Sequence, residues 1–306
     1  MAGGLAVSVE GIRWGISPIG WRNDDMPELG AEHSLGHVLS DMAVAGFEGT
    51  EVGGFFPEPE VLRRELELRG LDVAGQWFSS YLLQDGFERV DAAFRRHCAR
   101  LAALRADVAV VSEQTHSVQG LKLGVFDHKP KFTADEWDTL VNGLNRLGAT
   151  AKEYGLMLVY HPHLGTGIQT RDEIDTLMRR TDPETVHLLY DTGHLFASDE
   201  DVLTVLALHG ARIRHVHFKD VRRDVLAACR KKHHPFLKCV LDGIFTVPGD
   251  GCIDFVQVFR KLHDFGYQGW IVIEAEQDPA RAHPLEYALR AKRYVDELVK
   301  GLCDRS

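Results

Sequence analysis

Several features that would place this chain in a familiar class of protein are missing from its sequence. The five cysteines are odd in number, widely spaced and without a C-x-x-C pair, so neither a disulfide framework nor a thiolate zinc site is indicated. They are Cys98, Cys229, Cys239, Cys252 and Cys303. Such cysteine use is typical of a reducing compartment, and we expect the protein in the cytoplasm.

An excess of positive charge and long apolar runs are absent too. The formal net charge is −10 at pH 7, which would repel a phosphate backbone, so we expect no nucleic acid among the partners. No apolar run approaches the roughly 20 residues of a membrane span. The N-terminal stretch MAGGLAVSVEGIRWG also lacks the basic start and the sustained apolar core of a signal peptide. We therefore expect no membrane contact, and a small polar partner fits the chain better.

What the sequence does contain is a regular alternation of short apolar runs and helical patterns. The apolar runs are too short for core helices and predict eight β-strands, at 12–19, 47–53, 72–78, 107–113, 156–161, 186–191, 212–218 and 270–275. Helical patterns such as EPEVLRRELELRG and FTADEWDTLVNGLNRLGATAKEYG lie between them, with threonine or aspartate near the starts and glycine near the ends. The order is strand then helix, repeated about eight times.

This order predicts an α/β fold, a single (β/α)8 TIM barrel that spans residues 1–306. Near-continuous apolar strands alternating with helices indicate a parallel sheet covered by helices, and eight such units favour closure. The doubly wound alternative should carry a glycine-rich phosphate turn, but WGISPIGWRNDD lacks the G-x-G-x-x-G spacing. Residues 222–252 form a long connection between the seventh and eighth strands. We interpret it as a lid-like insertion, with a merely decorative helical insertion as the alternative.

Ionisable side chains collect where the predicted strands end. The carboxyl ends of barrel strands share one face, so side chains at these ends are expected to meet. The residues concerned are Glu51, Glu113, His116, His161, His163, Asp191, His194, His217, Lys219, Glu274 and Glu276. One histidine at a strand end has an ordinary structural explanation, but burying the whole set costs several kcal/mol per unpaired charge. A metal or a tight ionic network is required, and a metal is the more economical interpretation.

The best metal-ligand candidates come one from each of the last four strands: His161, Asp191, His217 and Glu274. A set of nitrogen and oxygen donors without sulfur suits manganese, cobalt, zinc or magnesium, and we favour Mn2+ or Co2+. Because strand side chains alternate, His215 and His217 share a face, and His217 lies nearer the mouth of the barrel.

Nine motifs occur in an order that is similar to one known family. They are GISPIGWRNDDMPELG, GTEVGG, WFSSYLL, VVSEQTHSVQG, YHPHLGTGIQT, YDTGH, HVHFKDVR, FTVPGDGCIDF and IEAEQDP. Together they run nearly from end to end of the chain and resemble the inosose dehydratases of inositol catabolism, within the xylose-isomerase-like barrel superfamily. The D-T-x-H motif is shared across that superfamily, whereas the first motif, the fifth-strand motif and FTVPGDG are more specific.

The resemblance implies a divalent-metal lyase, typically dependent on manganese or cobalt, that removes water from 2-keto-myo-inositol to give a trihydroxycyclohexanedione. A small cyclic polyol ketone would be its partner; glutathione is kept as a second candidate cofactor, and a homo-oligomer is left open. The superfamily's metal-binding pattern carries over onto Asp191, His217 and Glu274. Related sugar epimerases usually have a glutamate where this chain has His161, and a histidine is better suited than a carboxylate to protonating a departing hydroxide.

Roles for further residues follow as hypotheses. The metal would polarise the ketone while Glu274 or a neighbouring base removes the adjacent proton and His163 or His161 assists loss of hydroxide. Lys219 would share the developing negative charge or, equally, form an ion pair with Asp220 or another carboxylate. Candidates for binding the ring hydroxyls or orienting the ligands are Trp21, Glu51, Gln76, Glu113, His116 and His194.

Three other functions compete with this interpretation. A ketose or inosose epimerase or isomerase on the same scaffold is the nearest of them. Abasic-site endonucleases share the barrel and the D-T-x-H motif, but the acidic charge and the small ligand count oppose that function. A non-catalytic sensor of a polyol or a metal is the least favoured, because so many clustered ionisable groups are expensive to retain without chemistry.

Overall fold

Residues 10–303 are described by the structure, a computed structural model, with side chains described as far as Gly301. Most of the N-terminal stretch on which the signal-peptide prediction rests, and the side chain of Cys303, lie outside the described residues. Over the described range, none of the helices combines the length and the apolar character that crossing a bilayer requires.

All eight predicted strands are present, and the third is interrupted. The strands are β1 (Ile12–Ile16), β2 (Gly49–Glu51), β3 (Asp72–Gly75), β4 (Trp77–Ser80), β5 (Val108–Glu113), β6 (Met157–Tyr160), β7 (Val186–Asp191), β8 (Ile213–Phe218), β9 (Asp220–Val221), β10 (Phe245–Thr246) and β11 (Gly269–Ile273). Nine of them form one parallel sheet in the order β3-β2-β1-β11-β8-β7-β6-β5-β4, and β9 pairs with β10 in a separate antiparallel ribbon. The sheet begins and ends with β3 and β4, the two halves of one strand on either side of Gln76, so it curves round into the predicted barrel.

Helices surround the barrel, as the alternating pattern predicts. They are α1 (Leu35–Ala45), α2 (Pro59–Glu67), α3 (Leu82–Asp85), α4 (Phe87–Ala103), α5 (Ala134–Glu153), α6 (Arg171–Arg180), α7 (Thr192–Ala197), α8 (Val202–His209), α9 (Arg223–Lys231), α10 (Phe236–Asp242), α11 (Phe255–Asp264) and α12 (Pro284–Cys303), with short 3-10 turns at Pro18–Gly20 and Gly210–Arg212.

Local sequence explains where these helices begin. Thr133 caps α5 in a capping box with Glu136, and Thr170 does the same for α6 with Glu173, so each threonine satisfies an amide that has no partner within its helix. Asp191 caps α7 by accepting a hydrogen bond of 2.8 Å from the amide of His194. The cap at α7 matters for function, because it fixes one oxygen of a carboxylate at the mouth of the barrel.

Strand β8 shows how the barrel separates its apolar and polar faces. Phe218 packs outward against Trp14 and Phe255, with ring centroids 5.9 and 4.8 Å away. His215 and His217 lie on the opposite face and both contact Glu51 across the barrel interior. The register of β7 against β8 pairs Asp191 with His217. Alternation along one strand, as predicted, thus directs two imidazoles inward while the neighbouring strand brings a carboxylate beside them.

The extended connection between β8 and β11 is present and holds β9, α9, α10 and β10. Asp220, at its start, is fully buried and accepts hydrogen bonds of 2.9 to 3.1 Å from four backbone amides of the loop that follows β10, those of Gly249, Gly251, Cys252 and Ile253. One carboxylate therefore closes the insertion back onto its own beginning.

Replacing Asp220 with asparagine should destabilise the protein, because an amide has one acceptor oxygen and would turn its NH2 group toward backbone donors. We expect the free energy of unfolding to fall by about 1 to 3 kcal/mol, measured by urea denaturation. Asp224→Asn, at an exposed position of α9, serves as the matched control and should unfold like the wild type. Equal midpoints for the two variants would contradict this account of the insertion.

Candidate metal centre

Four side chains from successive barrel strands meet at the mouth of the barrel. His161 follows β6, Asp191 ends β7, His217 lies in β8 and Glu274 follows β11. One nitrogen or oxygen atom from each of the four lies within 4.8 Å of the others, and all four residues are buried or nearly so. The predicted ligand set is therefore brought together by the fold, as parallel strand ends require.

Hydrogen bonds fix which nitrogen of each histidine faces this group. Nδ1 of His161 lies 2.8 Å from the carbonyl oxygen of Pro162 and donates to it, which leaves Nε2 as a lone-pair nitrogen 3.7 Å from Asp191 Oδ2. Nε2 of His217 lies 2.9 Å from Glu51 Oε1, which leaves Nδ1 directed at the carboxylates. Partners of this kind orient metal-binding histidines and make the free nitrogen a better donor.

The atoms at the centre of the group lack other partners. Asp191 Oδ2 and His217 Nδ1 are buried without a hydrogen bond and lie 3.4 Å apart, and Glu274 Oε2 is 3.3 Å from the same nitrogen. Buried polar atoms are rarely left unsatisfied. Two imidazole nitrogens and two carboxylate oxygens at these separations fit a divalent cation, whose bonds to such donors are about 2.0 to 2.2 Å.

Proton equilibria in the cluster are strongly displaced. Burial lowers the pKa of His161 to about 4, so its imidazole is neutral at neutral pH. Burial alone would lower the pKa of His217 as well, but the carboxylates of Glu274, Glu51 and Asp191 hold it well above its ordinary value. Protons and metal cations compete for the same nitrogen. The negative surroundings that attract a proton to His217 would equally attract a divalent ion.

Glu51 holds two histidines at once. Its Oε1 atom lies 3.0 Å from His215 Nε2 and 2.9 Å from His217 Nε2. Burial would raise the pKa of Glu51, but the charge of His217 and the two hydrogen bonds keep it well below its ordinary value. His215, below the metal site, therefore joins Glu51 in supporting His217.

Lys219 is the cation that balances the carboxylates. It is fully buried, and its Nζ lies 2.6 Å from Glu274 Oε1, 2.8 Å from Glu276 Oε2 and 3.6 Å from Asp191 Oδ2. Burial alone would lower the pKa of Lys219, but these three carboxylates raise it, so the side chain stays charged. The ion pair with Asp220, one of the partners considered from the sequence, does not form, because backbone amides already hold that carboxylate.

The stem of Lys219 also explains a glycine in the YDTGH motif. A Cβ atom built on Gly193 would lie 2.4 Å from Cγ of Lys219, far inside normal contact distance. Only glycine at position 193 leaves room for the lysine to reach the carboxylates. Glycine is therefore required at this position of the motif for steric reasons, whereas Asp191 and His194 in the same motif contribute polar groups.

His163 lies beside the metal-ligand group and is enclosed by rings. Its ring centroid is 3.5 Å from that of His194, 5.7 Å from Trp77 and 5.4 Å from Phe236, and its Nδ1 contacts the side-chain amide of Gln119. Burial lowers the pKa of His163 well below its ordinary value. His163 is therefore a neutral imidazole.

A cavity of about 510 Å³ opens above this group. Several residues predicted from the sequence line it: Glu51, His116, His161, His163, His217 and Glu274. Trp77, Gln119 and Glu276 also line the cavity and were not assigned roles from the sequence. Trp77 occupies a predicted strand, and its place on the interior face follows only from the interruption at Gln76. Burial, the main effect, raises the pKa of Glu276 to about 7.

The other predicted substrate-binding residues do not line the cavity. The indole of Trp21 is buried and donates to Asp41 Oδ2. Glu113 accepts hydrogen bonds from the Ser80 hydroxyl and the Leu82 amide. Gln76 occupies the break between β3 and β4, and its backbone carbonyl oxygen accepts a hydrogen bond from the backbone amide of Val110. These positions give no support to direct substrate contact by the three residues.

His194 lies one layer behind His163. Its Nε2 is 2.8 Å from Lys219 Nζ, and its ring is 5.1 Å from that of Phe245. Burial lowers the pKa of His194 well below its ordinary value, so it accepts a hydrogen bond from the lysine as a neutral imidazole. His194 orients groups that face the cavity without lining it.

Fold and site together define a TIM barrel with a candidate metal site at its mouth, and the comparisons with known proteins narrow the class. Residues 39–298 match the family model described as xylose isomerase-like TIM barrel. An inosose dehydratase from Bacillus velezensis is 62% identical over 93% of this chain and 96% of its own length, and one from Halalkalibacterium halodurans is 60% identical over 94% of each. One from Salmonella typhimurium is 54% identical over 95% of this chain and 97% of its own. The chain belongs to the inosose dehydratases, a family of hydro-lyases within the xylose isomerase-like TIM barrels.

Solved structures agree on the fold at low identity. The IOLI protein, solved with a bound zinc atom, superposes with a TM-score of 0.70 at 15% identity, covering 94% of this chain and 98% of the other. L-ribulose 3-epimerase superposes with a TM-score of 0.71 at 17% identity, covering 96% of each chain. At these identities the likeness concerns the barrel alone.

Replacing Glu51 with glutamine should weaken metal binding, because a neutral amide no longer polarises His217 through its Nε2 hydrogen. We expect the affinity for Mn2+ to fall by about 10- to 100-fold, measured by competition with a chromophoric chelator. Glu60→Gln, at an exposed position of α2, is the control and should bind as the wild type does. An unchanged affinity in Glu51→Gln would remove Glu51 from the metal centre.

Proposed function

We propose that the protein removes water from 2-keto-myo-inositol and forms a trihydroxycyclohexanedione. The observation that carries this proposal is the near full-length identity of 62% to an inosose dehydratase. The arrangement at the barrel mouth supports it, since a metal-ligand group and a neutral imidazole border one cavity, and a buried cation lies behind two carboxylates that line it. Removal of water next to a ketone requires a polarised carbonyl, a proton acceptor and a proton donor for the departing hydroxyl.

We propose His161, Asp191, His217 and Glu274 as the metal ligands. A divalent ion there would supply Lewis acidity at the ketone oxygen. The donor set is compatible with several ions, among which we favour Mn2+ or Co2+. Glu274 Oε1 is already held by Lys219, so only Oε2 remains for a ligand or a proton. Ligation suits Glu274 better than the role of general base.

His163 is the better-placed group for proton transfer. Its neutral imidazole can accept the proton from the carbon next to the ketone and become charged. The same group can then give that proton to the hydroxyl that leaves the neighbouring carbon, so one proton and one hydroxide depart as water. The enol that remains isomerises to the dione. Gln119, which contacts His163 Nδ1, would orient the ring for both steps.

Lys219 would balance the negative charge that develops on the substrate oxygen. Its position between Glu274 and Glu276 places a permanent cation next to the ligand group, in an interior where charge interactions are strong. His194 would keep the ammonium group in position. A cation fixed before the reaction begins needs no rearrangement during it.

Residues 222–252 would act as a lid over this chemistry. Phe236 contacts the rings of His163 and His194, and Phe245 lies 4.7 Å from Lys219 Nζ. These apolar rings exclude water from the proton-transfer groups and from the buried cation. We further propose that the chain forms one domain and acts in the cytoplasm; glutathione as cofactor and a homo-oligomer stay predictions.

Purified protein incubated with Mn2+ and 2-keto-myo-inositol (scyllo-inosose) should produce a dione that absorbs in the ultraviolet. The loss of one water is measured by mass spectrometry. Asp191→Asn and Glu274→Gln should reduce the rate by at least about 100-fold, whereas Asp172→Asn, at an exposed position of α6, should leave it unchanged. An isomeric product of unchanged mass would instead indicate an epimerase or isomerase.

Lys219→Met should separate charge stabilisation from metal binding. Methionine retains most of the side-chain volume, and loss of the cation leaves the carboxylates more attractive to a divalent ion. We expect turnover to fall by about 100- to 1000-fold while metal content per chain stays within twofold, measured by steady-state kinetics and elemental analysis. Lys219→Arg keeps the charge and should recover part of the rate. Unchanged turnover in Lys219→Met would exclude the residue from the mechanism.

A further inference from the structure

A second cluster of metal-binding side chains lies in the insertion, away from the barrel mouth. Cys229 on α9, His234 in the turn that follows, and Asp242 at the end of α10 each offer one ligand atom, and these atoms lie within 4.8 Å of one another. The thiol of Cys239, on α10, lies beside this group and donates to the carbonyl oxygen of His234 over 3.7 Å. Both cysteines are almost completely buried.

The spacing of these residues along the chain does not by itself indicate a metal site. Their order is C-x4-H-x4-C-x2-D, which has no C-x-x-C pair. The turn between α9 and α10 folds the chain back, with the amide of His234 donating to the carbonyl of Cys229 over 3.0 Å. Cys239 and Asp242 are three residues apart on α10, so they share one helical face. Helix packing thereby brings the donors of Cys229, His234 and Asp242 to one point, with Cys239 next to them.

The side chains of His234 and Asp242 approach each other closely without forming a well-aligned hydrogen bond. His234 Nδ1 lies 2.9 Å from Asp242 Oδ2, yet this buried nitrogen has no hydrogen bond of acceptable geometry. Lys238 holds the other oxygen of the Asp242 carboxylate, which fixes its direction. A divalent cation between this nitrogen and this oxygen would satisfy both atoms, because imidazole and carboxylate are both donors to such ions.

We propose that Cys229, His234 and Asp242 form a second, structural metal site that takes a zinc-type cation, with the neighbouring thiol of Cys239 available as the fourth donor. Thiolate, imidazole and carboxylate are donors of tetrahedral Zn2+, with bonds of about 2.0 to 2.3 Å that set ligand atoms roughly 3 to 4 Å apart. The separations in the cluster require only small adjustments to reach that geometry. Sulfur donors distinguish this site from the nitrogen and oxygen set at the barrel mouth.

The site would fasten α9 to α10 and thereby position the aromatic ring that packs against His163. Phe236 begins α10 and lies 5.4 Å, centroid to centroid, from the ring of His163. The carbonyl of His234 accepts a hydrogen bond from the amide of Val125, which connects the same turn to a loop on the neighbouring side of the cavity. A cation at the cluster would hold both connections, so its role is structural and separate from the dehydration chemistry.

Cobalt provides a test that does not depend on activity. Metal-free, fully reduced protein titrated with Co2+ should develop a thiolate-to-cobalt charge-transfer band that saturates at one ion per chain, and Zn2+ should abolish it. The ligand set at the barrel mouth contains no sulfur, so a band of this kind reports on cysteine ligation alone. Absence of the band in the reduced wild-type protein, with several equivalents of Co2+ present, would overturn the proposal.

Variants assign the band to the cluster. Cys229→Ser should lose it, and His234→Gln and Asp242→Asn should weaken Co2+ binding at this site by at least tenfold; the last two alter partly exposed side chains and keep the protein measurable if Cys229→Ser does not fold. Cys252→Ser is the matched control, because Cys252 is a partly exposed cysteine of the same insertion outside the cluster, and it should keep the band. Loss of the band in Cys252→Ser with retention in Cys229→Ser would also contradict the proposed site.

Discussion

A single buried lysine, Lys219, offsets the repulsion among the carboxylates at the mouth of this barrel. Asp191, Glu274 and Glu276 all lie within salt-bridge distance of Lys219 Nζ, in an interior from which water is largely excluded. Without that cation, three neighbouring carboxylates would have to bind protons or repel one another. Because the lysine offsets part of their charge, Asp191 and Glu274 can face a metal ion together.

Residues from other parts of the sequence support this arrangement, either by leaving space for the lysine or by hydrogen bonding to a candidate ligand. Gly193 leaves room for the lysine stem, and Glu51 reaches from β2 across the barrel to orient His217. The metal centre therefore depends on contacts between strands far apart in sequence. Substitutions at such supporting positions would disturb the candidate metal centre without removing any of its four ligand side chains.

The parts that sequence reasoning could predict share a physical basis. Strand positions follow from apolar runs, and the meeting of His161, Asp191, His217 and Glu274 follows from the shared direction of parallel strand ends. Contacts that depend on side-chain packing could not be predicted in the same way. Three features result from the three-dimensional arrangement, for which linear spacing gives no signal. They are the interruption at Gln76, the positions of Trp21 and Glu113 outside the cavity, and the cysteine cluster of the insertion.

The aromatic wall formed by Phe236 and Phe245 has a consequence for the path of the proton. These rings cover His163 and His194, and the polar groups of His194 and Glu276 lie within reach of His163 in the same buried region. Under the proposed mechanism, a proton accepted by His163 would therefore stay within this buried group until the hydroxyl departs. The insertion, although it contributes none of the four candidate ligands at the barrel mouth, would thereby favour return of that proton in the released water over its exchange with the solvent.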